Sequence, residues 1–526
     1  MKHYKTILLS ILIASGLSAQ TNTLLVQPYL QDATPNSIKV MWETKSGEES
    51  IVEWGKSKKL GKVTSGHASH VDLGNSKIHE VKIEGLKRFT NYYYRVKSDA
   101  IVSDIFQFKT PPLAKDKESF NIIVMSDMQQ DSNHSNVFSE TVDQGILTYL
   151  KKEFKEDLPN NLAMVLVPGD LVEHGNEHSQ WQGHFFNPGR KLFSKVPVYP
   201  VLGSHEKSSG SYFEYFSLPE NGTPEYAAHW WYKDYSNVRI IGLDSNEAFG
   251  NIDAQLKWLK KILKDTASNE NIDFVFAQWH HPYKSELRIS GETDVAGKAI
   301  KALEAFTTSS GKPSLHFFGH THGYSRGQSR DSKHLWINVA SAGGAIDNWN
   351  ESDGKDYDEF TVTHDEYGFL MVEVVNENND PKFTIKRISR GNKNKIRYNE
   401  LRDSITIYKK ARKPETPMVM FPNNGTVPNV GVVLNAGPFK SKHKKAFHAA
   451  SHWQVSKYED FKKVVMDVWK QNENWYNNEN LQKDYVLTKE RLEPLESFTT
   501  YYWRVRYRDQ NLNWSDWSDV LSFKTN

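Results

Sequence analysis

Aspartate and histidine residues stand directly behind five short apolar segments in the middle of this 526-residue sequence. The polar residues concerned are Asp127, Asp170, His205, His280, His320 and His322. Carboxylate oxygens and imidazole nitrogens are the ligands with which a protein that lacks thiolates holds a transition-metal ion. A single such residue behind an apolar segment is weak evidence, whereas its repetition behind five of them predicts a metal site.

The apolar segments predict the strands that position these residues. They lie at residues 122–125, 164–167, 198–202, 240–243, 274–277 and 315–318. Between them, residues 252–263 have helical spacing, with Leu256, Leu259 and Leu263 on one face. This alternation over about residues 117–408 favours a layered α/β domain. Ligands of open α/β sheets bind outside the carboxyl ends of the strands, so the polar residues are expected at one edge.

The composition excludes several classes of protein. Cysteine is absent, which rules out disulfide scaffolds, zinc fingers, iron–sulfur clusters and thiol catalysis. The hydrophobic share of 38% is typical of globular domains and not of a polytopic membrane protein. The formal net charge is +2, and loss of Lys2 and Lys5 with a leader would leave 64 basic and 64 acidic residues. No nucleic-acid-binding surface is therefore expected.

Residues 1–19 have the pattern of a secretory signal peptide. Lys2 and Lys5 precede an apolar core, and small residues end at Ala19. The apolar core is too short to span a bilayer permanently, and no other segment approaches 18 apolar residues, so no membrane span is predicted. We expect an exported protein, periplasmic or secreted.

The two ends of the chain share a sequence pattern. Residues 86–96 and 495–505 both read L-x-x-F-T-x-Y-Y-aromatic-R-V, and each is followed by a segment that ends in F-K-T. The period-two alternation predicts strands, and a Tyr at the start of such a strand is typical of the tyrosine corner of a β-sandwich. Residues 22–111 and 413–526 both resemble fibronectin type III-like domains. We predict a multidomain protein with two all-β sandwiches flanking a central α/β domain.

An arginine–tryptophan pattern marks the second of these sandwiches. Arg504, Arg506 and Arg508 alternate along one strand face, and Trp514-Ser515-Asp516-Trp517-Ser518 follows. The pattern is similar to the W-S-x-W-S signature of receptor-type fibronectin domains, in which guanidinium groups stack between indoles. One interpretation is that the stack stiffens the sandwich. The other is an aromatic surface for a glycan or another surface partner, which the additional residues Trp453, Trp469 and Trp475 would extend.

The motifs behind the central strands resemble those of a known superfamily. Gly-Asp at 169–170, Gly-Ser-His-Glu at 203–206 and Gly-His-Thr-His at 319–322 are similar to motifs of the calcineurin-like metallophosphoesterase superfamily. The fibronectin-like domain in front of them resembles the arrangement in purple acid phosphatases. The resemblance implies a central α/β metallophosphoesterase sandwich at residues 117–408, flanked by two all-β fibronectin type III-like sandwiches.

The same resemblance implies a site with two divalent or mixed-valence metal ions, of iron, zinc or manganese. By motif position, Asp127 and His322 would hold the first metal, Asp170 would bridge both, and His280 and His320 would hold the second. His205 would contact the phosphate and help to protonate the leaving group. The implied reaction is hydrolysis of a phosphate ester by in-line attack of a metal-bridging hydroxide.

Three positions depart from the superfamily pattern. Gln129 stands where the superfamily has histidine and the purple enzymes have glycine; its amide oxygen can bind a cation but is a poorer ligand for zinc or iron than imidazole. Glu173 stands at the position of the tyrosine ligand of the purple enzymes and is either a ligand or a solvated loop residue. Ser204 replaces an asparagine that binds the second metal, so a weaker second site is expected.

Two basic residues, Lys284 and Arg288, follow His280 and are candidates to meet the anionic group of the substrate, although a solvated loop is the favoured explanation. Two alternative functions also remain open. One is a degenerate metallophosphoesterase that binds glycans or surfaces through its C-terminal domain. The other is a phosphodiesterase that acts on nucleotides or phosphorylated glycans, since monoester and diester chemistry share these ligands.

Overall fold

A computed structural model describes residues 24–155, 157–207, 209–247, 252–377 and 380–526. The predicted signal peptide at residues 1–19 lies outside these residues. The described chain forms two β-sandwiches and, between them in sequence, an α/β domain with two facing sheets. The predicted fold class is therefore confirmed. Among the described residues, no helix combines the length and the apolar character needed to cross a membrane.

The N-terminal sandwich consists of two antiparallel sheets around one core. Its first sheet contains, in spatial order, Leu24–Gln31, Ser37–Thr44, Ser76–Glu84 and His67–Val71. Its second sheet contains Lys62–Ser65, Ile51–Gly55, Asn91–Ser98, Ile101–Val102 and, beside Asn91–Ser98, Phe106–Lys109. Trp42, Tyr94 and Phe108 fill the space between the sheets and are fully buried. The alternating burial of Asn91–Ser98 confirms the period-two interpretation of this segment.

The α/β domain is built on two sheets whose inner faces share a core. The first sheet has the order Val198–Pro200, Met164–Val167, Phe120–Val124, Tyr367–Val375, Lys382–Asn392 and Lys395–Tyr408. The second has the order Trp231–Tyr235, Val238–Gly242, Phe274–Gln278, Ser314–Phe318, His334–Asn338, Tyr324–Gln328, Phe360–His364, Trp475–Tyr476 and Glu479–Asn480. Apolar strands such as Met164–Val167 are buried along their whole length, as strands covered on both faces must be.

Helices cover the outer faces of the α/β domain. The α-helices are Val137–Glu140, Thr148–Glu153, Leu158–Asn161, His178–Gln180, Asn187–Phe193, Gly210–Tyr215, Ile252–Ser268 and Asp294–Ser310. Turns of π-helix lie at Thr141–Leu147 and Trp181–Phe186, and 3₁₀ turns at Ala114–Asp116, Pro224–Tyr226 and Ile289–Gly291. Ile252–Ser268 buries Leu259, Ile262 and Leu263 against the second sheet, as its apolar spacing predicts.

The central strands of both sheets run parallel. Phe120–Val124 pairs in parallel with Met164–Val167, and Phe274–Gln278 pairs in parallel with Ser314–Phe318. The segments that leave their carboxyl ends therefore meet at one edge of the domain. These are the segments that carry the candidate aspartates and histidines.

The C-terminal sandwich repeats the plan of the first. One sheet contains Val419–Phe421, Val433–Ala436 and Lys489–Arg491, and the other contains Thr426–Val427, Leu521–Thr525, Thr500–Asp509, His448–Ser456 and Val464–Gln471. The sequence repeat corresponds to the same corner in both sandwiches. Tyr92 Oη accepts the backbone N–H of Lys87 at 2.9 Å, and Tyr501 Oη accepts that of Glu496 at 3.1 Å. Each bond spans five residues, as in a tyrosine corner.

The arginines of the C-terminal sandwich stack on aromatic rings. The Arg504 guanidinium lies 4.2 Å from the ring centroids of both Phe461 and Trp517, and that of Arg506 lies 4.5 Å from Trp514. The interpretation of a stiffening stack is thus supported. The other tryptophans offer no exposed platform for a glycan: Trp453 and Trp469 are buried, and Trp475 packs against the core of the α/β domain.

Candidate metal centre

Three of the candidate ligands lie on strained backbone behind their strands. Asp127, Asp170 and His320 have φ angles of +61°, +53° and +72°, a region that residues with a side chain adopt rarely. Such strain is held in place by surrounding contacts and concentrates at functional sites. It turns all three side chains sharply out of the sheets at the edge where the strands end.

Two glycines leave room for the aspartates. A Cβ atom at Gly203 would lie 2.2 Å from Asp170 Oδ1, and one at Gly319 would lie 2.5 Å from Asp127 Oδ2. Both distances are far below van der Waals contact. The glycines of the Gly-Ser-His-Glu and Gly-His-Thr-His motifs are therefore required because the backbone passes directly against the carboxylates.

The first half of the centre is formed by Asp127 and His322. His322 Nε2 lies 3.1 Å from Asp127 Oδ1, and His322 Nδ1 lies 2.7 Å from the carbonyl oxygen of Ala345. Donation of the Nδ1 hydrogen to Ala345 leaves Nε2 as the inward-facing atom of the ring. This is the arrangement in which a histidine ligand is oriented by an acceptor on its outer nitrogen.

The second half repeats this design around Asp170. His280 Nε2 lies 3.1 Å from both Asp170 Oδ2 and His320 Nδ1, and His280 Nδ1 lies 3.0 Å from the carbonyl oxygen of Pro168. Ligand atoms of Asp127, Asp170 and His280 all lie within 4.8 Å of one another. The two halves therefore adjoin.

The buried carboxylates strongly perturb the facing imidazoles. Burial alone would lower the pKa of His280, but the charge of Asp170 raises it to about 9. Burial alone would likewise lower the pKa of His322, but the hydrogen bond and charge of the Asp127 carboxylate raise it to about 9. Burial raises the pKa of Asp170, yet His280 and His205 hold it below its usual value. Buried negative charge is thus available to any cation bound here.

The donor atoms fit a pair of metal ions. Every side chain at the centre offers oxygen or nitrogen, and Gln129 adds an amide whose Oε1 is buried without a hydrogen-bond partner among the described residues. Its Nε2 lies 3.0 Å from Asp170 Oδ2. A buried carbonyl oxygen without a partner is costly, and coordination of a cation would satisfy it. The candidate ligand Gln129 therefore lies with the other candidate ligands.

Ser204 also lies at the centre, at the side of the second half. Its Oγ is 3.4 Å from Asp170 Oδ2 and 3.5 Å from His320 Nδ1. These separations are compatible with two ligands of one ion at about 2.0–2.2 Å each. The hydroxyl thus occupies a position next to the second set of ligands, although a neutral hydroxyl is a weak donor.

His205 and Glu173 lie at the rim. His205 Nδ1 is 2.6 Å from the carbonyl oxygen of Glu173, and His205 Nε2 is 3.7 Å from Asp170 Oδ2. The Glu173 carboxylate is 41% exposed and lies 3.8 Å from His205 Nδ1. The Glu173 carboxylate therefore lies next to His205 and does not lie with the carboxylates of Asp127 and Asp170.

The two predicted substrate-binding residues have different surroundings. Lys284 is paired with Glu359 at 2.6 Å and faces a cavity of about 380 Å³ next to the C-terminal sandwich, apart from the histidine cluster. Arg288 donates to the carbonyl oxygen of His320 and lies 3.3 Å from Asp347 Oδ2. Arg288 is therefore next to the centre, whereas Lys284 is not brought there.

The sequence assigned no role to Glu206 and Asp347, and it gave His281 a supporting position beside the candidate ligand His280. Glu206 accepts the backbone N–H groups of Asp170 (3.0 Å), Leu171 (2.8 Å) and Gly203 (2.8 Å) and thereby joins two ligand loops. Burial and the nearby Asp170 raise the pKa of Glu206 to about 7. His281 packs against His280 and His320, with Nδ1 2.8 Å from Ser245 Oγ. Asp347 accepts the backbone N–H of His322 at 2.7 Å.

Of the two unassigned residues, Glu206 had a signal in the sequence, as the last residue of the Gly-Ser-His-Glu motif. By motif position the candidate ligand is His280, the first histidine after the strand, and His281 lies beside it and against His320. Asp347 stands 25 residues beyond its partner, in a segment without a recognisable motif.

Comparisons with known proteins agree with the motifs. Residues 26–110 match the family model for the purple acid phosphatase N-terminal domain, and residues 120–324 match that for calcineurin-like phosphoesterases. Residues 439–526 match the model for the Rha78A-like N-terminal immunoglobulin domain.

Curated relatives and a solved structure are also similar to this chain. Purple acid phosphatase 15 of Arabidopsis thaliana is 25% identical over 269 residues, which are 47% of this chain and 49% of that protein. Purple acid phosphatase 21 of the same plant is 26% identical over 291 residues, 53% of this chain and 60% of that protein. The chain thus spans about half the length of these curated relatives. A purple acid phosphatase from yellow lupin (Lupinus luteus) seeds shares the fold, with a TM-score of 0.57 at 16% identity over 73% of this chain and 74% of that one.

The fold, the ligand motifs and the comparisons lead to one assignment. The chain carries a calcineurin-like metallophosphoesterase domain behind a purple acid phosphatase N-terminal domain, and a second, immunoglobulin-like sandwich follows them.

Proposed function

We propose that this protein is a metal-dependent hydrolase of phosphate esters that acts outside the cytoplasm. The observation that carries the activity is the convergence of two buried aspartates and three histidines at one edge of the α/β domain. Export rests on the signal-peptide pattern of residues 1–19.

The chain offers separate ligand sets for two cations. Asp127, His322 and the Gln129 amide would hold the first. His280, His320 and Ser204 would hold the second, and Asp170 would serve both. Bound cations of this type neutralise phosphate charge and supply a water molecule of lowered pKa. Oxygen and nitrogen donors suit iron, zinc or manganese.

His205 is placed to assist the leaving group. Its Nδ1 hydrogen is directed to the Glu173 carbonyl at 2.6 Å, so its Nε2 faces the region beside Asp170. The side chain is 33% exposed and can therefore meet a substrate that enters from solvent. A protonated Nε2 would donate its hydrogen to the oxygen that leaves phosphorus. Arg288, next to the His320 carbonyl, would add positive charge near the phosphate.

The substrate class and the alternative binding role are two further questions about this proposal. Monoesters and diesters use the same ligands, so both substrate classes are candidates, and comparison of their hydrolysis at saturating metal separates them. The alternative role as a glycan- or surface-binding protein has little support, because the tryptophans that motivated it are buried, stacked on arginines or packed against the α/β domain.

Hydrolysis of a generic aryl phosphate with manganese, zinc or iron supplied tests the activity. Asp170→Ala should lower the rate by about a hundredfold or more, since even the partners of metal ligands contribute about 10- to 100-fold. Asp253→Ala, at the start of the helix Ile252–Ser268, is the matched control and should retain the rate. Equal rates for the Asp170 variant and the unmodified protein would refute the proposal.

A further inference from the structure

The C-terminal sandwich contributes strands to the sheet of the α/β domain. Trp475–Tyr476 pairs in parallel with Phe360–His364 through Val362 and Trp475, and Glu479–Asn480 pairs with Trp475–Tyr476 in turn. We call residues 475–480 the added hairpin. It is the last pair of strands in the nine-stranded sheet, although it belongs in sequence to the C-terminal sandwich.

Polar side chains fix the added hairpin to the strand beside it. Gln471 is buried, and its Nε2 donates to the carbonyl oxygens of Asp358 at 2.8 Å and Phe360 at 3.2 Å. Thr361 Oγ1 donates to Gln471 Oε1 at 2.6 Å, and Asn474 Nδ2 donates to Asp356 Oδ1 at 2.9 Å. Gln471 and Asn474 lie just before the hairpin. Because the bonds of Gln471 satisfy buried backbone and amide groups, they fix the chain to the sheet edge where the hairpin begins.

Beyond the strands, the added hairpin contacts residues 345–357, which we call the Asp347 loop. The rings of Tyr476 and Trp349 meet edge to face with centroids 4.9 Å apart. The Tyr476 hydroxyl lies so near Gly354 that a Cβ built on that glycine would be 3.2 Å from it. Edge-to-face aromatic pairs stabilise a contact beyond their buried area. Tyr476 therefore holds the Asp347 loop at two points.

The Asp347 loop in turn orients a candidate ligand of the first metal. His322 donates its backbone N–H to Asp347 Oδ2 at 2.7 Å, and the backbone N–H of Asp347 donates to the His322 carbonyl at 2.9 Å. The outer nitrogen of His322 bonds the carbonyl of Ala345 at 2.7 Å. Asp347 also lies 3.3 Å from Arg288. The position of His322 thus depends on the loop that Tyr476 holds.

We infer that Tyr476 of the C-terminal sandwich is a positioning residue for the metal centre, acting through Trp349 and the Asp347 loop on His322. The inference deepens the proposed function and rests on it where it concerns metal ions. It assigns the C-terminal sandwich a role in shaping the hydrolytic site. Among the described residues, the candidate ligand His320 is linked to the Asp347 loop through Arg288, whereas His322 bonds the loop directly. The larger effect should therefore fall on the first metal.

Hydrogen exchange and metal binding test the inference. In Tyr476→Ala, amide exchange in peptides that cover residues 320–357 should be roughly 2- to 10-fold faster in the metal-free protein, the range to which an aromatic pair corresponds. In a chelator competition, one metal equivalent should bind more weakly by a similar factor, and the affinity for the other should change less. Tyr476→Phe keeps the ring and should restore both values.

Controls separate this effect from general loss of stability. Tyr458→Ala removes an exposed aromatic side chain of the same sandwich and should change neither measurement. Trp349→Ala should reproduce the Tyr476→Ala effect, and the double variant should add little to it. Unchanged exchange in residues 320–357 of Tyr476→Ala, or equal weakening of both metal equivalents, would overturn the inference.

The outcome is distinguishable from a failure of the proposed function. If the unmodified protein bound two metals but hydrolysed no phosphate ester, the proposed activity would fail, whereas the exchange and competition results would still decide the role of Tyr476.

Discussion

Two histidines of the candidate metal centre are held by the same device. In His280 and His322 the outer nitrogen bonds a backbone carbonyl, at 3.0 and 2.7 Å, and the inner nitrogen faces a buried aspartate at 3.1 Å. The ring is thereby fixed in one orientation before a cation arrives. The metal-free protein holds protons between these partners, so metal uptake is expected to release protons.

Ser204 is the position at which a single substitution should improve the centre. Asparagine at this site would extend an amide oxygen to the region where Ser204 Oγ lies, 3.4 Å from Asp170 Oδ2. Because an amide oxygen is a stronger donor than a neutral hydroxyl, Ser204→Asn should tighten the weaker metal equivalent by about tenfold. Calorimetric titration of the metal-free protein measures this.

A matched variant serves as the control for that test. Ser268→Asn, on an exposed position at the end of a helix, should leave both affinities as they are. If Ser204→Asn did not raise the affinity for the weaker metal equivalent, the serine would not be the cause of weak binding. Water or another group would then complete the coordination.

Among single residues, the sequence predicted the candidate metal ligands better than the groups that orient them. The Asp and His residues stood out because each directly follows a strand and few other residue types bind metals. The groups that orient them are in part backbone carbonyls, those of Pro168 and Ala345, which every residue type carries. No sequence pattern can mark such an acceptor, and Asp347 was missed for the related reason that its partner is remote in sequence.

At the scale of elements, the loop that follows His280 rests on a buried carboxyl group. Glu286 Oε1 accepts the N–H of Tyr357 at 3.0 Å, and Oε2 accepts the hydroxyl of Thr363 at 2.6 Å. Burial, opposed by these bonds and assisted by the neighbouring Asp356, raises the pKa of Glu286 to about 8. The carboxyl group is therefore protonated in the folded protein well above the pH at which it ionises in the unfolded chain.

This shift predicts a pH dependence of stability. Between about pH 4.5 and 8 the folded state binds the Glu286 proton and the unfolded state does not, so the free energy of unfolding falls as the pH rises. Glu286→Gln removes the titration. The melting temperature of the variant relative to the unmodified protein should therefore increase from pH 5 to pH 8 and level off above that.

Ser268→Ala, on an exposed helix end, changes no titratable group, serves as the comparison and should give a difference that does not change with pH. A melting-temperature difference for Glu286→Gln that stays constant from pH 5 to pH 8 would contradict the assigned protonation. Thermal unfolding at a series of pH values in one buffer mixture supplies both curves.

Among the elements, those with a local signal were predicted. The six apolar segments form strands, and the predicted helix at residues 252–263 forms as Ile252–Ser268. The helix Asp294–Ser310 was not predicted, because alanines and threonines dilute its apolar face. The added hairpin was also missed, since strand pairing between residues as far apart in sequence as Val362 and Trp475 leaves no local pattern.

At the scale of the whole molecule, one arginine anchors the C-terminal sandwich to the α/β domain. Arg508 is fully buried, and its guanidinium donates to the carbonyl oxygens of Ser329 and Ser332, both at 2.8 Å. Trp514 Nε1 donates to the Arg330 carbonyl at 2.6 Å beside it. The stacked arginines thus connect two domains as well as stiffening one.

Replacement of this arginine should uncouple the two domains. Arg508→Met keeps most of the unbranched side chain but removes both donors. The Ser332 carbonyl still accepts the His334 N–H at 2.9 Å, whereas the Ser329 carbonyl is left without a donor among the described residues, which costs about 1–3 kcal/mol. We expect the single calorimetric transition of the two domains to broaden or split, with the C-terminal part unfolding first. Arg412→Met in the exposed linker should leave the transition unchanged, and the same result for Arg508→Met would argue against this anchor.

The added hairpin also has a consequence for the order of folding. The sheet that carries His280 and His320 cannot be completed until residue 480 is available, because its last two strands come from that part of the chain. Loop closure over so many residues is slow compared with local strand pairing. The strand Phe360–His364 is therefore left with an open edge while the chain is still being made. A chain halted before the hairpin should present that edge to chaperones or to other chains, so aggregation during synthesis is the expected cost of a site shared between domains.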